Sequence, residues 1–232
     1  MLEVKHYVGL DLGQVSDHTA LVALRREQEI LELPKPKVVS RQEMELASGQ
    51  KDRERLGERS EPSRYYCNVA ERFELGTPYT TLVERVAKLF VDPRFAGQTL
   101  VVDGTGVGRA VVDLFCKAKI NCRLMPVTIT SGAVLAALGY TRIDDFGYWH
   151  VPKKELVSSV QVLLGTGRMK IAPSLRYASA LIQELKNFSY KISSATAHVS
   201  LEAWREKDHD DLVLGLALAA WAGEQRKEFW IR

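Results

Sequence analysis

The chain has 232 residues, 46% of them hydrophobic and 26% charged, with a net charge of +3 at neutral pH. That length holds one sizeable core or two small ones, and the charge is too small to mark a nucleic-acid binder without a local basic patch. Three cysteines (Cys67, Cys116, Cys122) form no CxxC pair, which excludes a structural zinc site of that type and fits a reducing compartment. Residues 1–6 are no secretory leader and the longest apolar run, 212–223, is too short to span a bilayer, so a cytoplasmic protein is expected.

Residues 5–12 read as a first strand, ending Gly9-Leu10-Asp11-Leu12-Gly13. Residues 19–24 read as its hairpin partner, joined by a loop with Gly13, Ser16 and Asp17. A third strand falls at residues 30–33 or near Val38-Val39. Residues 41–64 carry six basic and six acidic side chains and few apolar ones. They read as a solvated, charged insertion, with an arm that touches DNA phosphates as the alternative.

Residues 65–75 read as a strand. Thr77-Pro78 then reads as a cap and first helical residue, followed by Leu82, Val83, Val86, Leu89 and Phe90 at helical spacing. Residues 99–103 form a short apolar run of the kind buried on both faces of a parallel sheet. It ends in Asp103, then Gly104-Thr105-Gly106-Val107-Gly108, then a helix with Val111, Leu114, Phe115 and Ala118. With a strand at 122–127, residues 99–127 make a β-α-β unit. Val151-Pro152 opens a helix that stops at Gly165-Thr166-Gly167. Ser174 caps another, with Ala178, Leu181, Ile182, Leu185 and Phe188 on one face. Edge strands are expected within 188–204. The last helix, from Leu212, is apolar nearly all round, so it is buried on most sides. Asp208-His209-Asp210-Asp211 introduces it. No repeat or Pro-rich linker divides the chain, which suggests one α/β domain over 1–232.

Read alone, Asp11 starts a loop. Together with Asp103 at a second strand end and Asp210–Asp211 at a helix start, it belongs to a set of carboxylates that one sheet edge can gather. Such groups repel one another unless a cation lies between them, and hard oxygen donors suit Mg²⁺ or Mn²⁺. Two ions roughly 3.5–4 Å apart are the usual means of attacking a phosphodiester with water. In that arrangement Asp11 bridges both ions, Asp103 holds one and Asp210 or Asp211 the other.

Val8-Gly9-Leu10-Asp11-Leu12-Gly13-Gln14, Asp17-His18-Thr19-Ala20-Leu21, Phe73-Glu74-Leu75-Gly76-Thr77-Pro78-Tyr79, Val102-Asp103-Gly104-Thr105-Gly106-Val107-Gly108 and His209-Asp210-Asp211-Leu212-Val213 resemble, in order, the C-terminal nuclease domain of phage terminase large subunits. The resemblance implies an RNase H-like mixed sheet, antiparallel hairpin strands plus parallel strands, with helices on both faces. It further implies metal-dependent endonuclease cleavage of double-stranded DNA during genome packaging, inside a bacterial host. Asp11, Asp103, Asp210 and Asp211 match the family's metal-binding acids. A separate packaging ATPase, a small terminase or a portal would be the partners. No G-x-x-x-x-G-K-[ST] occurs, so an ATPase motor is not expected in this chain, which is either the nuclease part of a longer gene or a free-standing relative.

Lys153 and Lys154 occupy a first helical turn, where cations are electrostatically misplaced; they are candidates for DNA phosphates, as are Arg142, Arg168 and Arg205. Asp17 and Asp208 read as loop and helix caps, His209 as a half-exposed helix-start residue, and Trp149 and Trp204 as core. Three other readings stand beside the nuclease: an actin- or sugar-kinase-like phosphotransferase with Gly9–Gly13 as a phosphate loop, a dinucleotide-binding module on Gly104-x-Gly106-x-Gly108, and a non-catalytic packaging component.

Overall fold

A computed structural model describes residues 1–13, 17–30, 62–130, 142–144, 147–195 and 210–225, with backbone alone at 142–143 and 188–195. The elements run β1 (Leu2–Asp11), β2 (Ala20–Glu29), β3 (Arg64–Arg72), α1 (Tyr79–Leu89), β4 (Thr99–Asp103), α2 (Gly108–Ala118), β5 (Arg123–Thr130), β6 (Arg142–Ile143), β7 (Trp149–Pro152), α3 (Lys153–Gly165), β8 (Met169–Ile171), α4 (Ala178–Ala195) and α5 (Asp211–Glu224). The eight strands form one sheet in the order β6-β7-β5-β4-β1-β2-β3-β8. β1, β2 and β3 pair antiparallel. β4, β5 and β7 continue parallel from the other side of β1, β6 pairs antiparallel with β7, and β8 runs parallel to β3. The sheet is thus of the mixed kind expected, with β1 inside it.

Alternation along β1 sorts the core into two layers, because successive strand residues point to opposite faces. Val8 and Leu10 join Leu82, Val86, Val111 and Phe115 from α1 and α2. Tyr7 joins the opposite layer, built from Leu156, Val160 and Leu163 of α3, Leu181 and Leu185 of α4, and nearly all of α5. Helices therefore cover both faces. Helix α5 lies on β1 and β2 and touches α3 and α4. Surrounded in this way, it has no polar side to show, and Leu212, Leu216 and Trp221 are fully buried. Trp221 meets Trp149 edge-to-face, with ring centroids 5.6 Å apart, so Trp149 is a packing residue.

Several boundaries differ from the sequence reading. Pro78 is the residue before α1 rather than its first, and Val151-Pro152 ends β7 rather than opening α3. β5 extends to Thr130. α4 starts at Ala178, not beside Ser174, and Ile182 on it is exposed. Residues 188–195, expected to contribute edge strand, continue α4. The short strands β6, β7 and β8 were not anticipated; two to four residues give no periodicity to read. Most of the 41–64 insertion, Val38-Val39, Trp204, Arg205, Asp208 and His209 lie outside the described residues.

The cysteines differ in burial. Burial pushes the Cys67 thiol up to about 12 and Cys122 up to about 11, with Cys116 nearby adding to the second. Cys116 is exposed. Since the thiolate is the nucleophile, iodoacetamide at neutral pH should modify Cys116 first, with Cys67 protected until the protein is denatured. Mass spectrometry of a time course checks this.

Candidate metal centre

β1 and β4 run parallel with Leu10 beside Val102, so Asp11 and Asp103 leave the sheet side by side at one edge. By strand alternation Asp11 shares a face with Tyr7, and Asp103 with Val101; both of those apolar residues lie in the α5 layer. The start of α5 comes over the same edge. Its placement rests on a close crossing: a Cβ on Gly9 would lie 2.0 Å from the Gly215 carbonyl oxygen. Asp210 precedes the helix, its carbonyl accepting from the Leu214 amide at 2.9 Å; its side chain does not cap the helix. Asp211 is the first helical residue and is 3% exposed.

The carboxylates act on one another. Asp11 is buried, and burial first, then the charges of Asp103, Asp210 and Asp211, hold its carboxyl well above the usual carboxylate range; Lys153 pulls the other way. The other three predicted acids are therefore within electrostatic reach of Asp11, as is Lys153. Lys153 begins α3 directly after β7, at the same edge as Asp11, and Lys154 beside it is exposed. Arg168 is elsewhere. It sits at the opposite edge beside the start of β3, making two hydrogen bonds to Glu224 at 3.2 and 3.0 Å and one to the Ser63 carbonyl. Tyr65 donates to the same Glu224 at 2.7 Å. Arg168 thus ties the end of α5 to the sheet, far from the acids. The backbone of Arg142 lies in β6, the outermost strand.

Three further residues, not singled out as site candidates in the sequence, join this cluster. The Thr105 amide and hydroxyl donate to Asp103 Oδ1 at 2.8 and 2.5 Å, while the same hydroxyl accepts from the Ile129 amide at 3.0 Å. Asp103 is thereby tied to β5. Arg72 ends β3 in a cross-strand row with Ala20 and Asp11. Its Nε lies 3.1 Å from Asp211 Oδ2, an ionic contact along which the N–H is not aimed, and its Nη2 pairs with Glu184 Oε1. Glu184, buried on α4, accepts the Val213 amide at 3.1 Å through its other oxygen. Burial raises the Glu184 carboxyl to about 7 against the Val213 amide and Arg72, and Asp211 and Asp210 add to the rise. The signal for Thr105 was an acceptor two residues before a hydroxyl in a turn. For Glu184 it was a carboxylate three residues after Leu181, on the apolar side of α4.

The tight glycine run after Asp103 serves this packing. A Cβ on Gly108 would lie 2.1 Å from the Asp103 carbonyl oxygen, so the strand can turn directly into α2 only with glycine there.

The donor set is all carboxylate, which suits hard divalent cations, and the accumulated negative charge around Asp11 is what such a cation would relieve. Among the described residues no three ligand-type side chains are drawn together to coordinating distance.

The sheet order and the helices on both faces are those of an RNase H-like α/β fold. The same fold is seen in crystal structures of the large terminase nuclease from thermophilic phage G20c. The zinc-bound form is 19% identical over 94% of this chain and 80% of that one, with a TM-score of 0.51. The magnesium- and cobalt-bound forms are each 18% identical over 94% and 81%, with TM-scores of 0.53. At that identity the likeness establishes the fold. No protein-family model matches the chain and no curated protein matches its sequence.

Proposed function

We propose that the chain is a divalent-metal-dependent endonuclease domain that hydrolyses phosphodiester bonds of double-stranded DNA in phage genome packaging. One observation carries the reading: Asp11 and Asp103 emerge side by side from parallel β1 and β4, and Asp210 and Asp211 at the start of α5 bring their charges within reach of Asp11. The similarity to terminase nucleases crystallised with magnesium, zinc or cobalt supports it.

Asp11, Asp103, Asp210 and Asp211 would hold Mg²⁺ or Mn²⁺, two ions in the full site. Bound there, these ions supply a Lewis acid for the phosphate and a water of lowered pKa. The chain's own residues supply placement. Thr105 fixes the carboxylate of Asp103, and the crossing at Gly9 fixes the start of α5. Lys153, whose charge reaches Asp11, is positioned to attract the phosphate that enters. In the overall reaction water oxygen bonds to phosphorus and the P–O3′ bond breaks, with no side chain acting as nucleophile. Contacts through phosphates make binding insensitive to sequence and sensitive to salt.

The test is plasmid DNA with Mn²⁺ and, in parallel, with EDTA. Nicking and linearisation that need the metal and fall steeply with added salt are expected. No cleavage with Mg²⁺, Mn²⁺ or Co²⁺ over a range of concentrations would remove the catalytic assignment. Thr105→Val keeps the shape of the side chain but removes the hydroxyl that orients Asp103. It should lower the turnover rate by roughly tenfold with a smaller change in the DNA concentration for half-maximal rate, as measured by initial rates on a labelled duplex.

A further inference from the structure

We propose that Arg72 and Glu184 are positioning residues of the metal centre, holding Asp211 by one carboxylate oxygen so that it meets a divalent cation in a fixed orientation. The inference rests on the metal reading above. Arg72 stands in the row Asp11–Ala20–Arg72, and α5 runs over β1 and β2. Asp211 at the start of that helix therefore lies between a candidate ligand on one side and a guanidinium on the other. Arg72 Nε approaches Asp211 Oδ2 at 3.1 Å, and Nη2 is held by Glu184. Glu184 in turn accepts the Val213 amide, two residues along the same helix. The end of β3, the first half of α4 and the start of α5 are thus joined at one point, beside a candidate metal ligand.

A guanidinium is a rigid planar group, and with Nη2 held by Glu184 its charge stands in a set place beside Asp211 Oδ2. An ammonium keeps the charge and loses that placement. Arg168 and Glu224 make a comparable pair at the other edge and supply the internal comparison: removing that pair also costs packing, but touches no candidate ligand. Groups that hold a metal ligand from behind typically change metal affinity by about 10–100-fold when removed.

The experiment is isothermal titration calorimetry of Mn²⁺ into the full chain, without DNA, for wild type and for Arg72→Lys, Arg72→Gln, Glu184→Gln and Arg168→Gln, each checked for folding by circular dichroism. The expected result is a dissociation constant raised about 10–100-fold in both Arg72 variants, raised less in Glu184→Gln, and unchanged in Arg168→Gln. Where Arg72→Gln does not fold, Arg72→Lys carries the test. Wild-type affinity in Arg72→Lys overturns the proposal, and tighter binding overturns it by showing that Arg72 competes with the metal. Equal weakening in Arg168→Gln overturns it as a general stability effect. If wild type binds no Mn²⁺, the metal reading itself fails and this inference falls with it; Mn²⁺ binding by wild type with unaltered variants sinks the inference alone.

Discussion

Asp11→Asn lowers metal-dependent nicking of plasmid DNA by on the order of a thousandfold and at the same time raises the melting temperature of the metal-free protein at neutral pH. Both expectations come from one fact. Asp11 is buried at the end of β1 in the field of three other carboxylates. Its charge disfavours the folded state unless a cation answers it, and it is the charge that a cation would answer. Asparagine keeps the volume and removes the charge. The pH dependence has a definite sign. The folded-state carboxyl has its proton affinity raised, so the folded protein retains this proton while the unfolded chain releases its own. The stability tied to Asp11 is therefore present at low pH and is lost as pH rises from the ordinary carboxylate range through the raised folded value. In EDTA, wild type should lose stability across that window and Asp11→Asn should lose less. Added Mn²⁺ should reverse the order by stabilising wild type alone. Differential scanning fluorimetry at several pH values, with EDTA or Mn²⁺, reads all of this. Equal nicking by wild type and variant would remove Asp11 from the metal centre.

The acids stand out in the sequence as a set rather than singly. Asp11 alone reads as a loop starter and Asp210–Asp211 suit a helix N-terminus; two strand ends and a helix start that each carry Asp need a common reason. The supporting residues follow local rules, so the signals they carried did not single them out. Arg72 falls inside the strand read over 65–75, Glu184 on the amphipathic helix with Leu181 and Leu185, and Thr105 in the glycine run after Asp103. Their roles exist only because β3, α4 and α5 converge, a matter of tertiary packing that periodicity does not carry. Arg168, a candidate for phosphate in the sequence, pairs in the fold with Glu224, 56 positions later, a partner that no local pattern announces. The strand order was legible in its parts, hairpin then β-α-β, whereas β6 to β8 are too short to show alternation. Ile182 fits the apolar stripe of α4 and is nonetheless exposed.

Gly9→Ala should cost about 3 kcal/mol or more, a fall in melting temperature of about 6–12 °C for a chain of this size, and should weaken Mn²⁺ binding with it. A Cβ at Gly9 would lie 2.0 Å from the Gly215 carbonyl oxygen and 2.9 Å from the Ala219 amide nitrogen. Both are backbone atoms of α5, so no side chain can rotate aside, and the whole helix must lift from the sheet. The helix that lifts carries Leu212, Leu216 and Trp221, all fully buried, and its first turn carries Asp211. Fold and site are thus joined through one crossing. The control is Gly165→Ala at the end of α3, where a Cβ meets nothing within 4 Å; helix propensity there favours alanine by up to about 1 kcal/mol. Calorimetric melting and Mn²⁺ titration of both variants make the comparison, and a Gly9→Ala protein melting within about 2 °C of wild type would contradict the close crossing. Asp11→Asn separates stability from metal affinity, because a charge can be removed without moving the backbone. Gly9→Ala joins them, because α5 cannot shift on β1 and still bring Asp210 and Asp211 to the edge where Asp11 and Asp103 emerge.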